Sequence, residues 1–268
     1  MFPQPADFRA ESDALHALLA SLPDAGFGRA TRFKQWTIDE VLTHLHHWNH
    51  AVLLSLTDEP AFIAFMADLQ ARRRHTPMRA LERAWSGGLR GQALLAAWHA
   101  LCATVAERFQ ADDPKRRVKW GGPDMSVRSS ITARLMETWA HGQAVYDLLG
   151  VERVDTDRIR NIAVLGINTF GWTFSVHRQT PPAEPPQVRL TAPSGAIWRW
   201  HEHSTSGLIE GSATEFCQVV TQVRHVADTR LAISGEAAQR WMAIAQCFAG
   251  GPEQPPAPGT RFREPAAA

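Results

Sequence analysis

Apolar residues recur at helical spacing over the first two thirds of the chain. Between Thr37 and Leu56, the positions Ile38, Val41, Leu42, Leu45, Trp48, Val52, Leu53 and Leu56 follow at intervals that gather them on one side of a helix. The segment opens on Thr37-Ile-Asp-Glu40, a capping box in which the hydroxyl and the carboxylate each take up a free backbone N–H at the helix start. The same period predicts helices over Ala6–Leu22, stopped by Pro23, and from Pro60 through Phe62, Phe65, Met66 and Leu69. It predicts others over Gln92–Phe109, over Met125–Leu149 with Gly150 as the terminating glycine, and over Thr156–His177. Short connections between long amphipathic helices predict an antiparallel bundle over residues 1–179.

The texture then changes. Residues 180–186, Thr-Pro-Pro-Ala-Glu-Pro-Pro, read as a stiff linker. Beyond them Val188–Thr191 and Ile197–Trp200 alternate with period two around a Pro193-Ser-Gly195 turn. Gly207–Gly211 and Arg230–Ile233 predict two more short strands, and Ser212–Val226 and Gly235–Phe248 predict helices. Residues 187–250 therefore read as a small α+β domain. The Pro/Gly/Ala-rich stretch 251–268 reads as a disordered tail. The fold class is α+β, a helical bundle followed by a small mixed domain.

Composition narrows the function classes. The 268 residues carry 28 basic and 27 acidic side chains, a formal net charge of +1. That balance gives no reason to expect nucleic acid or an anionic membrane as partner. The runs Arg72-Arg-Arg-His75 and Lys115-Arg-Arg117 read as solvated helix ends and loops. No stretch reaches the ~20 apolar residues that span a bilayer, and the first residues lack the pattern of a signal peptide. Cys102, Cys217 and Cys247 lie far apart and form no CxxC pair. They predict packed core thiols in a reducing, cytoplasmic setting. Nucleophile-elbow, Walker and dinucleotide fingerprints are absent. The 12 histidines, several of them clustered, are where chemistry is to be sought.

Glu137-Thr-Trp-Ala-His141 places a carboxylate and an imidazole one helical turn apart. Both fall at the edge of the stripe formed by Ile131, Leu135, Val145 and Leu149, so they face a groove between helices, where they can share a divalent cation. Thr43-His-Leu-His-His-Trp-Asn-His50 supplies the second cluster. On its helical wheel His47 and His50 point away from the apolar stripe and read as solvated. His44 and His46 flank the stripe on opposite edges, and the wheel does not choose between them. One of these plus Glu137 and His141 makes a set of two imidazoles and one carboxylate, with positions left open for water or substrate. Such donors favour Zn, with Ni, Fe or Mn also suited. His201 and His203 on one strand face, in Trp200-His-Glu-His203, form a weaker pair. Trp48 and Trp139, near these residues in sequence, are candidate pocket walls as well as core residues.

Trp36-Thr-Ile-Asp-Glu-Val-Leu-Thr-His-Leu45 resembles the first metal helix of the DinB-like metal-dependent superfamily. Arg134-Leu-Met-Glu-Thr-Trp-Ala-His-Gly-Gln143, closing at Leu149-Gly150, is similar to the second metal helix of the branch that contains mycothiol-dependent maleylpyruvate isomerase. Gly211–Arg224, followed by Ser234-Gly-Glu236, resembles that branch's small C-terminal domain. The resemblance implies His44, Glu137 and His141 as metal ligands, and Arg224 as the basic residue that meets an anionic substrate or thiol. It implies a low-molecular-weight thiol as cofactor and isomerisation or S-transfer on a small electrophile as the reaction. Where the branch commonly carries a carboxylate three residues after the second histidine, this chain has Ala144. That difference leaves a non-catalytic metal-binding, ligand-binding or stress-response role as an alternative. Some relatives carry a tRNA wyosine-related label for their C-terminal region. No basic stripe with interleaved aromatics accompanies it here.

Overall fold

A computed structural model describes residues 2–265. The chain divides into two compact units, Met1–Leu148 and Leu149–Ala268. The fold class is the expected α+β.

In the first unit the helices are α1 (Gln4–Leu19), α2 (Ile38–Thr57), α3 (Glu59–Arg73), α4 (Met78–Trp85), α5 (Gly91–Gln110) and α6 (Val127–Leu149). A two-stranded ribbon, β1 (Arg117–Val118) with β2 (Met125–Ser126), lies between α5 and α6. The capping box opens α2 as the sequence predicts. Thr37 Oγ1 accepts from the Glu40 N–H, and the Glu40 carboxylate accepts from the Thr37 N–H. Ile38, Val41, Leu42, Leu45 and Val52 are fully buried along α2, facing Leu94, Trp98, Cys102 and Val105 of α5 across the core.

Helix α4 has no counterpart in the hydrophobic pattern. It is eight residues long with only Leu81 and Glu82 buried, too short and too polar to announce itself. Its presence changes α2, which packs against α3 and α4 as well as α5. Two sides of α2 are therefore covered. His47, expected in solvent, is 1% exposed, with its ring 4.9 Å from Trp85 and 5.1 Å from Phe65. His50 is half-buried against the same two rings. The single-stripe wheel fails here because it allows one buried face only.

The second unit holds α7 (Arg160–Asn168), α8 (Phe170–Val176), α9 (Ala213–Val220), α10 (Glu236–Ile244) and a four-stranded sheet. Strands β3 (Gln187–Thr191), β4 (Ile197–Trp200), β5 (Leu208–Ser212) and β6 (Ala232–Ser234) run in the order β4-β3-β5-β6. The β3–β5 pair is parallel and the other two pairs are antiparallel. Val188, Leu190, Trp198 and Ile209 point from the sheet into the core.

Three sequence expectations are revised in this unit. The helix expected over Thr156–His177 is broken at Thr169, whose hydroxyl donates back to the Leu165 and Gly166 carbonyls. Its two halves belong to the second unit, not to a bundle ending at residue 179, because their apolar faces are spent on α9 and α10. Phe170 lies 5.1 Å from Trp241, and Phe216 packs on the same indole at 5.8 Å. The tail is not free either. Gln246 donates to the Gly251 carbonyl and accepts from the Glu253 N–H. Asp228 accepts from the Gly259 N–H, and Arg261 donates to the Gln222 carbonyl. Side chains thus take the place of the regular backbone partners a proline-rich segment forgoes. Residues 266–268 of the expected tail lie outside the described residues.

Candidate metal centre

Helix α2 presents His44, and α6 presents Glu137 and His141 one turn apart. The fold brings the three together: one donor atom from each lies within 4.8 Å of the others. His141 Nε2 is 3.1 Å from Glu137 Oε2, and His44 Nε2 is 3.5 Å from the same oxygen. Both imidazoles thus turn the same ring nitrogen toward one carboxylate oxygen. The other carboxylate oxygen faces the buried guanidinium of Arg134, at 3.8 Å from Nη2. His46, on the opposite edge of α2, points elsewhere, with its ring 5.3 Å from Trp85.

A fourth residue completes the surroundings of His44. Glu82 of α4, 1% exposed, accepts from His44 Nδ1 at 2.9 Å and from Trp48 Nε1 at 3.0 Å. It lies 38 positions from His44 in sequence. Nothing in the local pattern points to it beyond being the lone acid between Arg72 and Arg90. A cavity of about 180 Å³ adjoins Glu82, lined also by Thr37, Thr43, Arg79 and Arg83.

Aromatic rings wall the site. Trp36 stacks on His141, centroids 5.5 Å apart and 5° from parallel, and meets His44 edge-on at 5.3 Å. Phe33 meets His141 edge-on at 5.0 Å. Both rings sit on a tight turn, closed by the Trp36 N–H donating to the Phe33 carbonyl, with Lys34 and Gln35 at φ of 48° and 57°. Two successive left-handed residues are the signature of a type I′ turn, and such strain gathers where a surrounding structure has a use for it. Of the walls suggested by sequence, Trp48 lies 6.3 Å from His44, whereas Trp139 is fully buried in the core.

The electrostatics follow from this crowding. Burial works against charge on His44, but the Glu137 and Glu82 carboxylates outweigh it and lift its pKa to about 9. Burial likewise opposes charge on Glu137, and its hydrogen bonds to His141 and His44, with Arg134 nearby, still hold it well below the ordinary carboxylate range. Burial lowers His141, which the Glu137 carboxylate only partly offsets. Glu82 is also lowered: its burial is outweighed by the bond to His44. Without a metal, the set is an anionic carboxylate sharing a proton with one imidazole beside a second, neutral one. Two imidazole nitrogens and a carboxylate oxygen aimed at one point fit a divalent cation.

The remaining expected residues lie elsewhere. Arg224 belongs to the second unit, half-buried, with Nη1 donating to the Val223 carbonyl. His201 and His203 are not on a strand face: β4 ends at Trp200, and His201 turns at φ 53° to contact the Pro186 carbonyl. Cys102, Cys217 and Cys247 are buried, and burial pushes the Cys102 thiol up to about 12, which removes it as a nucleophile at neutral pH. Among the described residues, no helix is long and apolar enough to cross a membrane.

Comparison with known proteins follows the same lines. Two curated proteins of Mycobacterium tuberculosis, from strains CDC 1551 / Oshkosh and H37Rv, both called uncharacterized, are each 41% identical over 249 residues, covering 92% of this chain and 95% of theirs. The crystal structure of mycothiol-dependent maleylpyruvate isomerase matches with a TM-score of 0.53 at 15% identity, over 87% of this chain and 92% of that one. A histidine-to-alanine mutant of that enzyme matches at 0.51 and 16%, over 81% and 86%. At such identities these two matches speak for the fold. The family model for the mycothiol maleylpyruvate isomerase N-terminal domain matches residues 8–146, the stretch that carries His44, Glu137 and His141, and the chain belongs to that family.

Proposed function

We propose that this protein binds one divalent metal ion, zinc foremost, through His44 Nε2, Glu137 Oε2 and His141 Nε2. We propose further that it uses a low-molecular-weight thiol to isomerise or conjugate a small electrophile. The observation that carries the reading is the convergence of these three donors from two helices 93 positions apart. The family's association with a mycothiol-dependent isomerase supports the thiol. A divalent cation in such a site supplies Lewis acidity, which favours the thiolate form of a bound thiol, the nucleophile both reactions need.

The chain's own residues supply the rest. The hydrogen bonds to His141 and His44, with Arg134 beside them, keep Glu137 charged against its burial, and Arg134 faces one carboxylate oxygen, leaving the other for the ion. Trp36 and Phe33 cover the His141 ring and exclude water from that side. Arg224 is the proposed anchor for a carboxylate of the thiol or the substrate. Ala144, where the isomerase branch carries a carboxylate, favours a second reading in which metal and ligand bind without turnover.

The test is metal stoichiometry by mass spectrometry after zinc loading, in wild type and in His44→Ala, Glu137→Ala, His141→Ala and His46→Ala. The expected result is one zinc in wild type and His46→Ala and a loss in the other three. Unchanged stoichiometry in His44→Ala, Glu137→Ala and His141→Ala overturns the site, and a loss in His46→Ala but not in His44→Ala moves it to the other edge of α2. Zinc-loaded protein that turns over a cis-unsaturated acid or a model electrophile only with thiol present separates the enzyme from the binding protein.

A further inference from the structure

We infer that Glu82 is a positioning residue of this centre, holding His44 by Nδ1 so that Nε2 faces Glu137 and His141. The inference rests on the proposed metal reading and extends it to a residue on a third helix.

The two histidines of the centre are held in different ways. His44 is tied at its far nitrogen: Nδ1 donates to Glu82 Oε1 at 2.9 Å, while Nε2 lies 3.5 Å from Glu137. His141 has no such tie. Its Nδ1 is buried without a hydrogen-bond partner, and its ring is fixed by stacking on Trp36. A metal-ligating imidazole needs its proton on the nitrogen away from the ion, and a carboxylate accepting from that nitrogen fixes both tautomer and ring angle. Glu82 is placed for this and is itself held. Its side chain is 2% exposed, and the same oxygen that takes the His44 proton also accepts from Trp48 Nε1 at 3.0 Å. Trp48 lies one turn beyond His44 on α2. Glu82 thus clamps two residues of α2 with one oxygen, and rotation of the His44 ring would break that bond and leave a buried carboxylate half-satisfied.

The test measures zinc affinity on the full chain by competition with a chromophoric chelator, and the visible absorption of Co(II) in the same site. The variants are Glu82→Ala, Glu82→Gln, Trp48→Phe and Leu81→Val. Removing an outer carboxylate of this kind weakens metal binding by about 10–100-fold, and that loss is expected for Glu82→Ala, with a shifted cobalt spectrum. Glu82→Gln keeps an oxygen that accepts from Nδ1–H and is expected to recover most of the affinity and the wild-type spectrum. Trp48→Phe, which frees Glu82 to move, is expected to lose less than Glu82→Ala. Leu81→Val trims the buried contact of α4 without touching Glu82 and is expected to bind as wild type does. If Glu82→Ala does not fold, Trp48→Phe carries the comparison, and wild-type affinity with a wild-type spectrum in that variant overturns the inference. So does a loss in Leu81→Val equal to that in the Glu82 variants, which would mark loosened packing. A wild-type chain that takes up no zinc overturns the metal reading and this inference together. A wild type that binds zinc, with Glu82→Ala equal to it, overturns this inference alone.

Discussion

Replacing His47 with phenylalanine removes an imidazole that is 1% exposed and whose two ring nitrogens lack hydrogen-bond partners. The ring stands nearly edge-on to Trp85 and Trp48, and Phe65 lies beside it. Burial holds its pKa at about 4, against an ordinary 6.5. A folded pKa below the unfolded one means that the unfolded chain takes the proton first. The stability tied to a neutral His47 is therefore whole above about pH 6.5 and is lost as the pH falls toward and through about 4. A separation of this size is worth about 3 kcal/mol below both values, of which about 2 kcal/mol has gone by pH 5.

Phenylalanine cannot take that proton and fits an aromatic surrounding with little change of volume. The assay is urea denaturation of the metal-free proteins at about pH 7.5 and about pH 5, comparing variant with wild type at each. Carboxylates and the other histidines titrate in both proteins, so their contributions largely cancel in the difference. The expected result is a variant as stable as wild type or more so at pH 7.5, since an unsatisfied buried polar ring has gone. At pH 5 its advantage should be greater by about 2 kcal/mol. A difference that stays constant to within about 0.5 kcal/mol between the two pH values would refute the reasoning, because it would mean that His47 is solvated or already paired.

Other outcomes follow from the same geometry. With the His44 pKa raised to about 9 by Glu137 and Glu82 against its burial, zinc uptake at about pH 7.5 should release about one proton, read by calorimetry in buffers of different ionisation enthalpy. Gly166→Ala would place a methyl 2.8 Å from Val220 Cγ2. It should destabilise the second unit by about 1–3 kcal/mol, and Val220→Ala in the same chain should recover part of the loss in a thermal melt. Gln246→Ala removes the side chain that both donates to Gly251 and accepts from Glu253. It should cost about 1–3 kcal/mol and expose the segment after Gly250 to limited proteolysis.

What the sequence made legible was local. Glu137 and His141 share a helix, so their spacing alone puts them on one face, and the capping box of α2 is written in four consecutive residues. The choice between His44 and His46 was not local. The wheel places both at stripe edges, and only the packing of α4 on one side of α2 and the approach of Glu137 on the other separate them. The same packing hid the burial of His47 and His50. The unit boundary was missed for a related reason. A helix wheel says that the face of α7 carrying Ile162 and Gly166 must be covered, but not that α9 covers it.

Glu82 shows why this loss is systematic. A buried carboxylate–imidazole pair gains little net stability, because the desolvation of two groups offsets most of their attraction. No strong hydrophobic signal accompanies such a residue, and replacing such a pair as a whole by well-packed apolar side chains is often neutral or stabilising. Around one small volume the fold nevertheless gathers Glu82, Glu137, Arg134 and two imidazoles, each largely removed from water. Arg134 Nε and Nη1 are left without partners as part of this arrangement. Stability alone would not select such a group, since replacing it with well-packed apolar residues would be neutral or favourable. On the metal reading proposed above, a divalent cation would supply the missing reason: two fixed anions and two oriented nitrogens become a binding site when a double charge sits among them. The departures from good hydrophobic packing therefore point to the centre, and they are the features a reading by hydrophobic period is least able to detect.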